Sequence, residues 1–255
     1  MKNIVETRGV GKKYHSPTGE VTAIKSIDLS VAEGEFVSIV GPSGCGKSTL
    51  LSILAGLSAP SAGRVLVDGR TAAECRHQIG YMLQRDHLFP WRTVLANVLL
   101  GLEIRGTKTA ENVAYAKELL QKYGLEDFAN KRPNQLSGGM RQRAALIRTL
   151  ACRPKILLLD EPFSALDYQT RLYVSDEISA ILTAEGKTAI LVTHDISEAI
   201  SLSDRVAVLS ARPAVVKNVH DIKLGLENRS PILARKSPKF PEYFDKIWKE
   251  LEIDE

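Results

Sequence analysis

Phe36-Val37-Ser38-Ile39-Val40 runs without a linker into Gly41-Pro42-Ser43-Gly44-Cys45-Gly46-Lys47-Ser48-Thr49, and then into Leu50, Leu51, Ile53 and Leu54 at helical spacing. An apolar strand, a G-x-x-x-x-G-K-[ST] loop and a helix, in that order, make a device for holding phosphates. The glycines let the backbone wrap closely round an anion with several N–H groups pointing inward. The following helix presents its positive end to the same charge. Lys47 supplies a mobile cation for the β- and γ-phosphates of a nucleotide, and the Ser48 hydroxyl is a hard oxygen suited to Mg²⁺. Cys45 reads as a small residue that the loop tolerates. By itself the loop leaves kinases, GTPases and ATPases all open.

Two further apolar strands carry chemistry at their ends. Ile156-Leu157-Leu158-Leu159 leads into the adjacent carboxylates Asp160 and Glu161. Successive strand residues point to opposite sides, so the two acids take different roles. Asp160 is read as the group that holds the metal, directly or through water, and Glu161 as the group that polarises an attacking water. Ala189-Ile190-Leu191-Val192-Thr193 leads into His194. A histidine at the C-terminal end of such a strand sits where open α/β sheets bind ligands, which points it at a γ-phosphate.

The rest of the chain is organised round these strands. Val21 to Ile24 and Ile27 to Val31 read as short strands, with turns at Glu33-Gly34 and Asp68-Gly69. From about Pro90 to Pro154 the pattern turns helical. Thr93 to Ile104 forms one segment, Ala110 to Tyr123 a second with Gly124 at its C-terminal cap, and Ser137 to Cys152 a third stopped by Pro154. Apolar strands return at Ile156 to Leu159, Ala189 to Thr193 and Arg205 to Leu209, alternating with helices, which implies a mostly parallel sheet buried on both faces. Ala214 to Val219 is strand-like. A final helix over Pro241 to Leu251 sets Tyr243, Phe244, Ile247, Trp248 and Leu251 on one side, read as core packing. The expectation is a single α/β domain: a core of about 1–89 and 155–225, a helical insertion of about 90–154, and a short helical tail over 226–255.

Composition agrees. The chain has 255 residues, 44% hydrophobic and 25% charged, enough to bury a large core. No stretch approaches the roughly 20 apolar residues of a membrane-spanning helix, and no apolar segment follows the N-terminal lysines, so no signal peptide is expected. Cys45, Cys75 and Cys152 are widely separated and fit no metal spacing; reduced thiols are expected. The net charge of +4 is spread along the chain, which argues against nucleic acid as a partner.

Leu136-Ser137-Gly138-Gly139-Met140-Arg141-Gln142-Arg143 opens the third helix of the insertion, with Ser137 placed to cap it. Lying between the phosphate loop and the acidic strand, it resembles the signature motif of ABC ATPases. Gln84 after a strand resembles the family's Q-loop, Ser164-Ala165-Leu166-Asp167 its D-loop, His194 its switch histidine and Tyr14 its adenine-stacking aromatic. All stand in the family's order, and the similarity covers at least Tyr14 to Leu209. Met140 departs from the glutamine often found at the signature's fifth position; the Ser-Gly-Gly core is intact.

The resemblance implies a P-loop NTPase (RecA-like) core with an N-terminal antiparallel β subdomain and an inserted α-helical subdomain. It implies Mg-dependent ATP hydrolysis, with ATP held by Tyr14 and the loop from Gly41 to Thr49, and Mg²⁺ by Ser48, Asp160 and Gln84. Glu161, His194 and Gln84 form the catalytic set. It further implies a head-to-tail pair of ATPase subunits, expected to be a homodimer, in which Ser137, Gly138, Gly139 and Met140 of one copy meet the ATP of the other. Asp167 carries communication between the copies.

Phe89-Pro90-Trp91, followed by Thr93-Val94-Leu95-Ala96-Asn97-Val98, looks most like importer ATPases of the nitrate/sulfonate/taurine group. In that group the segment contacts the integral-membrane permease, so the chain is expected at the cytoplasmic face of the membrane as a peripheral subunit. An external solute-binding protein is expected to act through the permease. A sulfonate-, nitrate- or taurine-like anion is the leading cargo. Importers of thiamine precursors or riboflavin, an exporter half, and a soluble ABC ATPase acting outside transport stay open as alternatives. Against the last stand the single phosphate loop and the lack of any heptad run.

Overall fold

The computed structural model describes residues 2–17, 19–226 and 230–252. The chain runs β1 (Asn3–Ser16), β2 (Gly19–Ala32), β3 (Phe36–Val40), α1 (Lys47–Leu54), β4 (Ala62–Val67), β5 (Arg70–Thr71) and β6 (Ile79–Met82). Four helices follow, α2 (Val94–Val98), α3 (Leu100–Ile104), α4 (Ala110–Lys122) and α5 (Gly138–Leu150), before β7 (Ile156–Asp160). Then come α6 (Tyr168–Ala184), β8 (Thr188–Val192), α7 (Ile196–Leu202), β9 (Arg205–Leu209), β10 (Ala214–Asp221), α8 (Pro231–Ala234) and α9 (Phe240–Glu252).

All the strands among the described residues join one sheet in the order β5-β4-β1-β2-β10-β9-β3-β8-β7-β6. The run from β9 to β6 is wholly parallel, whereas β5, β4, β1 and β2 pair antiparallel. This is an α/β core with an antiparallel β portion on one flank and helices inserted between β6 and β7.

The central strands explain themselves by period. In β7, Ile156 and Leu158 enter the cluster that contains Leu50, Leu51 and Ile53 of α1. Leu157 and Leu159 enter the cluster built with Ala144 and Ile147 of α5 and Ile178 of α6. Ala189 and Leu191 of β8 alternate with Ile190 and Val192 in the same way. Both faces are covered, which is why these strands read as unbroken apolar runs. Truncating a residue such as Leu157 to alanine costs about 2–5 kcal/mol.

Several elements differ from their reading in the sequence. The two short strands read over Val21–Ile24 and Ile27–Val31 are one strand, β2, whose ladder with β1 survives several register shifts. Those bulges interrupt the period of two and hide the continuity. The helix read over Thr93–Ile104 breaks at Leu99 into α2 and α3. In α9 only Ile247 is fully buried, with Phe240, Tyr243, Phe244 and Leu251 partly covered beside it. Trp248, read as core, is 48% exposed and stacks on Phe244. Of the tail read over 226–255, positions 227–229 and 253–255 lie outside the described residues. Among the described residues no helix is long and apolar enough to cross a membrane.

Candidate functional site

The ends of four adjacent parallel strands converge at one edge of the sheet. The phosphate loop follows β3, Gln84 follows β6, Asp160 ends β7 with Glu161 next, and His194 lies just beyond β8. The order β3-β8-β7-β6 therefore sets the acidic pair between the histidine strand and the Gln84 strand.

The loop's geometry depends on two glycines. Gly44 has φ +74 and Gly46 φ +122, regions that L side chains rarely adopt, and a Cβ on Gly46 would lie 3.2 Å from the Ala23 carbonyl oxygen. Gly46 stands at the start of α1, so the loop's amides and the helix end face the same point. Lys47 is buried and folds back over the loop, its Nζ donating to the carbonyls of Gly41 (2.7 Å) and Pro42 (2.9 Å). The Cys45 side chain turns inward: it is 1% exposed, and burial pushes its thiol up, against the pull of Lys47. Cys45 thus offers a nucleotide only its backbone. Tyr14 is half exposed beside the loop, and its hydroxyl reaches Thr49 Oγ1 at 3.5 Å.

Ser48 and Asp160 meet directly. The Ser48 hydroxyl donates to Asp160 Oδ1 at 3.1 Å, while the Tyr81 hydroxyl donates to Oδ2 at 3.1 Å. Burial raises the Asp160 carboxyl, opposed by those two hydrogen bonds and helped by the nearby Glu161 charge. Tyr81 is pushed up to about 12, by its own burial first and by Asp160 second, so it stays a donor. Hydroxyl and carboxylate at this separation are the hard-oxygen donor set that a small divalent cation takes.

Glu161 has φ +43, an uncommon conformation for a side chain of its size. Its amide donates to the Val192 carbonyl at 2.8 Å, which fixes the turn off β7 against β8. From that turn Glu161 Oε2 faces two groups: His194 Nδ1 at 3.1 Å and Gln84 Nε2 at 3.4 Å. Gln84 Nε2 also lies 3.3 Å from Ser164 Oγ.

The glycine-rich start of α5 lies in the helical insertion. Ser137 caps it, accepting from the Met140 amide at 3.3 Å. Gly139 packs against α6 so closely that a Cβ would sit 2.7 Å from Val174 Cγ2; Gly138 faces Leu166. Asp167 caps α6, accepting from the Thr170 amide at 3.0 Å.

Phe89 and Trp91 stack with ring centroids 4.9 Å apart, and Trp91 is 67% exposed. Asn97, fully buried, clamps the loop around Pro90: its Oδ1 accepts from the Phe89 amide at 2.7 Å and its Nδ2 donates to the Phe89 and Thr93 carbonyls.

Sequence reasoning missed the residues that hold these groups in place. Tyr81 anchors Asp160. Arg141 binds Asp86 at 3.2 Å, and Arg148 donates to the Asp86 and His87 carbonyls, so α5 grips the segment after Gln84. Arg141 does follow Met140 directly in the signature, but no local pattern marks Tyr81 or Arg148.

A profile of the family described as ABC transporter matches residues 24–164. The chain is 51% identical over 238 residues to an uncharacterized ABC transporter ATP-binding protein, YtlC, of Bacillus subtilis, covering 93% of this chain and 92% of that one. It is 38% identical over 247 residues to the nitrate import ATP-binding protein NrtD of Synechocystis sp., covering 95% and 93%. Among solved structures, the dimeric post-hydrolysis state of the ATP-binding cassette MJ0796 bound to ADP and Pi superposes with a TM-score of 0.73 at 36% identity. That match covers 86% of this chain and 99% of the other.

Proposed function

The chain belongs to the ABC transporter ATP-binding family, and from that membership we propose that it is the ATPase subunit of an importer for a small anion of the nitrate type. The observation that carries the reading is the convergence of Ser48, Asp160, Glu161, Gln84 and His194 on one edge of the sheet beside the phosphate loop. ATP binds with its phosphates on the amides of Gly41 to Thr49, Lys47 swings from its own loop carbonyls to the β- and γ-oxygens, and Tyr14 stacks on adenine. Ser48 and Asp160 hold Mg²⁺, with Gln84 beside them. When bound, the ion neutralises phosphate charge in the displacement. Glu161 accepts the proton of the attacking water, and His194, which faces the same carboxylate, donates to the γ-phosphate.

The site is completed by a second copy. Ser137, Gly138, Gly139 and Met140 open a capped helix that presents backbone N–H groups to the partner's ATP. Asp167, at the start of α6, links the copies. The dimeric MJ0796 cassette supports this arrangement.

The stacked pair of half-buried Phe89 and exposed Trp91, with Pro90 between them, is the contact for an integral-membrane permease at the cytoplasmic face. An external solute-binding protein delivers cargo to that permease. Nitrate is preferred over a sulfonate because the import relative NrtD matches along nearly the whole chain. The test is affinity purification from solubilised membranes. A polytopic permease co-purifying with the wild type, and lost with a Phe89→Ala, Trp91→Ala double variant, is expected; ribosomal or DNA-repair proteins in its place overturn the transport reading.

A further inference from the structure

One buried carboxyl group has no place in the chemistry above. Glu198, in the first turn of α7, is 4% exposed, and its Oε2 accepts from the Thr193 hydroxyl at 2.7 Å. Opposite it lies Arg171 of α6, with Nε 3.8 Å from Glu198 Oε1 and an NH1 3.6 Å from Asp195 Oδ2. The second terminal nitrogen of Arg171 donates to the Leu166 carbonyl at 3.1 Å, immediately before Asp167. The backbone amide of Arg171 donates to the Asp167 carbonyl at 2.9 Å.

These contacts bracket His194 on both sides. Thr193 before it binds Glu198, and also accepts from the Asp195 amide at 3.0 Å. Asp195 after it caps α7 through the amides of Ser197 and Glu198, and faces Arg171. The guanidinium thus reaches from the loop that carries Asp167 to the strand end that carries His194. Buried ion pairs are poor stabilisers, because desolvation offsets their attraction. This one is also loose: Arg171 Nε is buried without a hydrogen-bond partner. Stability does not account for it, whereas fixing two loops relative to each other does.

We propose that Arg171 is a positioning residue for ATP hydrolysis, tying the Asp167 loop to the His194 strand end within one chain through Leu166, Asp195 and Glu198. The inference rests on the reading of His194 given above. Small misplacements of reacting groups cost up to about 100-fold in rate, so the tie acts on turnover, not on affinity: the Arg171 side chain bonds the Leu166 carbonyl and pairs with Asp195 and Glu198, not with the phosphate loop. Lysine at 171 keeps the charge but loses the planar fork that bonds the Leu166 carbonyl while facing the Asp195 and Glu198 carboxyls.

The test compares Arg171→Lys with the wild-type full chain, measuring ATP turnover at saturating MgATP, the Kd for ATP, and the ring resonances of labelled histidines, with His194 assigned from a His194→Ala spectrum. Turnover is expected to fall about 10- to 100-fold with Kd unchanged within about twofold, and the His194 resonance moves. Unchanged turnover, a parallel loss of ATP affinity, or an unmoved His194 resonance overturns the proposal. Thr193→Val, which keeps the shape and removes the hydroxyl link to Glu198, carries the same expectation if Arg171→Lys fails to fold. His194→Ala separates the two readings: if it hydrolyses ATP normally, the role of His194 fails first; if it is inactive while Arg171→Lys is normal, only the tie fails.

Discussion

His194 Nδ1 lies 3.1 Å from Glu161 Oε2, bringing together residues that leave two neighbouring strands, β8 and β7. Gln84 approaches the same oxygen from β6. One carboxylate oxygen is therefore shared by a histidine and an amide, each placed by its own strand, and both face the end of the sheet where the phosphate loop opens.

On the proposed reading of Glu161 as the base, its charge is expected to matter to hydrolysis but not to nucleotide binding. Glu161→Gln is expected to bind ATP with wild-type affinity and to lower turnover by roughly 100-fold or more, with an ATP-bound dimer accumulating. Steady-state hydrolysis together with size-exclusion chromatography in MgATP checks both. Wild-type turnover in this variant removes Glu161 from the role of base.

Gly139 has a packing role beside the phosphate contact proposed for it. A Cβ there would lie 2.7 Å from Val174 Cγ2, a stiff side chain on α6. Gly139→Ala is expected to destabilise the fold by about 1–3 kcal/mol through overpacking, and Val174→Ala in the same chain to recover part of that loss. Denaturant unfolding of the single and double variants measures it. An unchanged unfolding midpoint in Gly139→Ala contradicts the close approach of α5 and α6.

The burial of Glu198 predicts a pH dependence of stability. Burial pushes this carboxyl from 4.5 up to about 7, opposed by the Thr193 hydrogen bond. The folded chain therefore holds a proton that the unfolded chain releases between those values. Stability contributed by the protonated group is present below pH 4.5 and is lost as pH rises towards 7. Glu198→Gln, neutral at every pH, is expected to unfold with a shallower pH dependence across that window and to gain roughly 3 kcal/mol over the wild type by pH 8. Parallel stability curves for the two proteins contradict this.

The elements that carry the site were legible because they are buried on both faces or punctuated by glycine. β3, β7 and β9 are short apolar runs, and the loop after β3 has a residue pattern few other structures need. β1 was not legible. Its exposed Arg8 and Lys13, its half-buried Lys12 and its register shifts at Thr7, Val10 and Lys12 break any alternation, and its partners β2 and β4 are known only once the sheet is assembled. The groups at the site were readable at strand ends, each within its own motif. Their supports were not: Tyr81 on Asp160, Arg148 on Asp86 and Arg171 on Asp195 are contacts between elements, and a single side chain in a local stretch carries no mark of its distant partner.

Coupled uptake is the most direct measurement of what this chain does. The chain with its co-purified permease, reconstituted in vesicles with binding protein and labelled nitrate on the side opposite the ATPase, is expected to accumulate nitrate only when MgATP reaches the ATPase side. Uptake is expected to stop with Glu161→Gln, and to weaken more than basal hydrolysis does with Phe89→Ala, Trp91→Ala. ATP hydrolysis that continues with no ATP-dependent accumulation of nitrate, a sulfonate or any other small solute contradicts the importer reading.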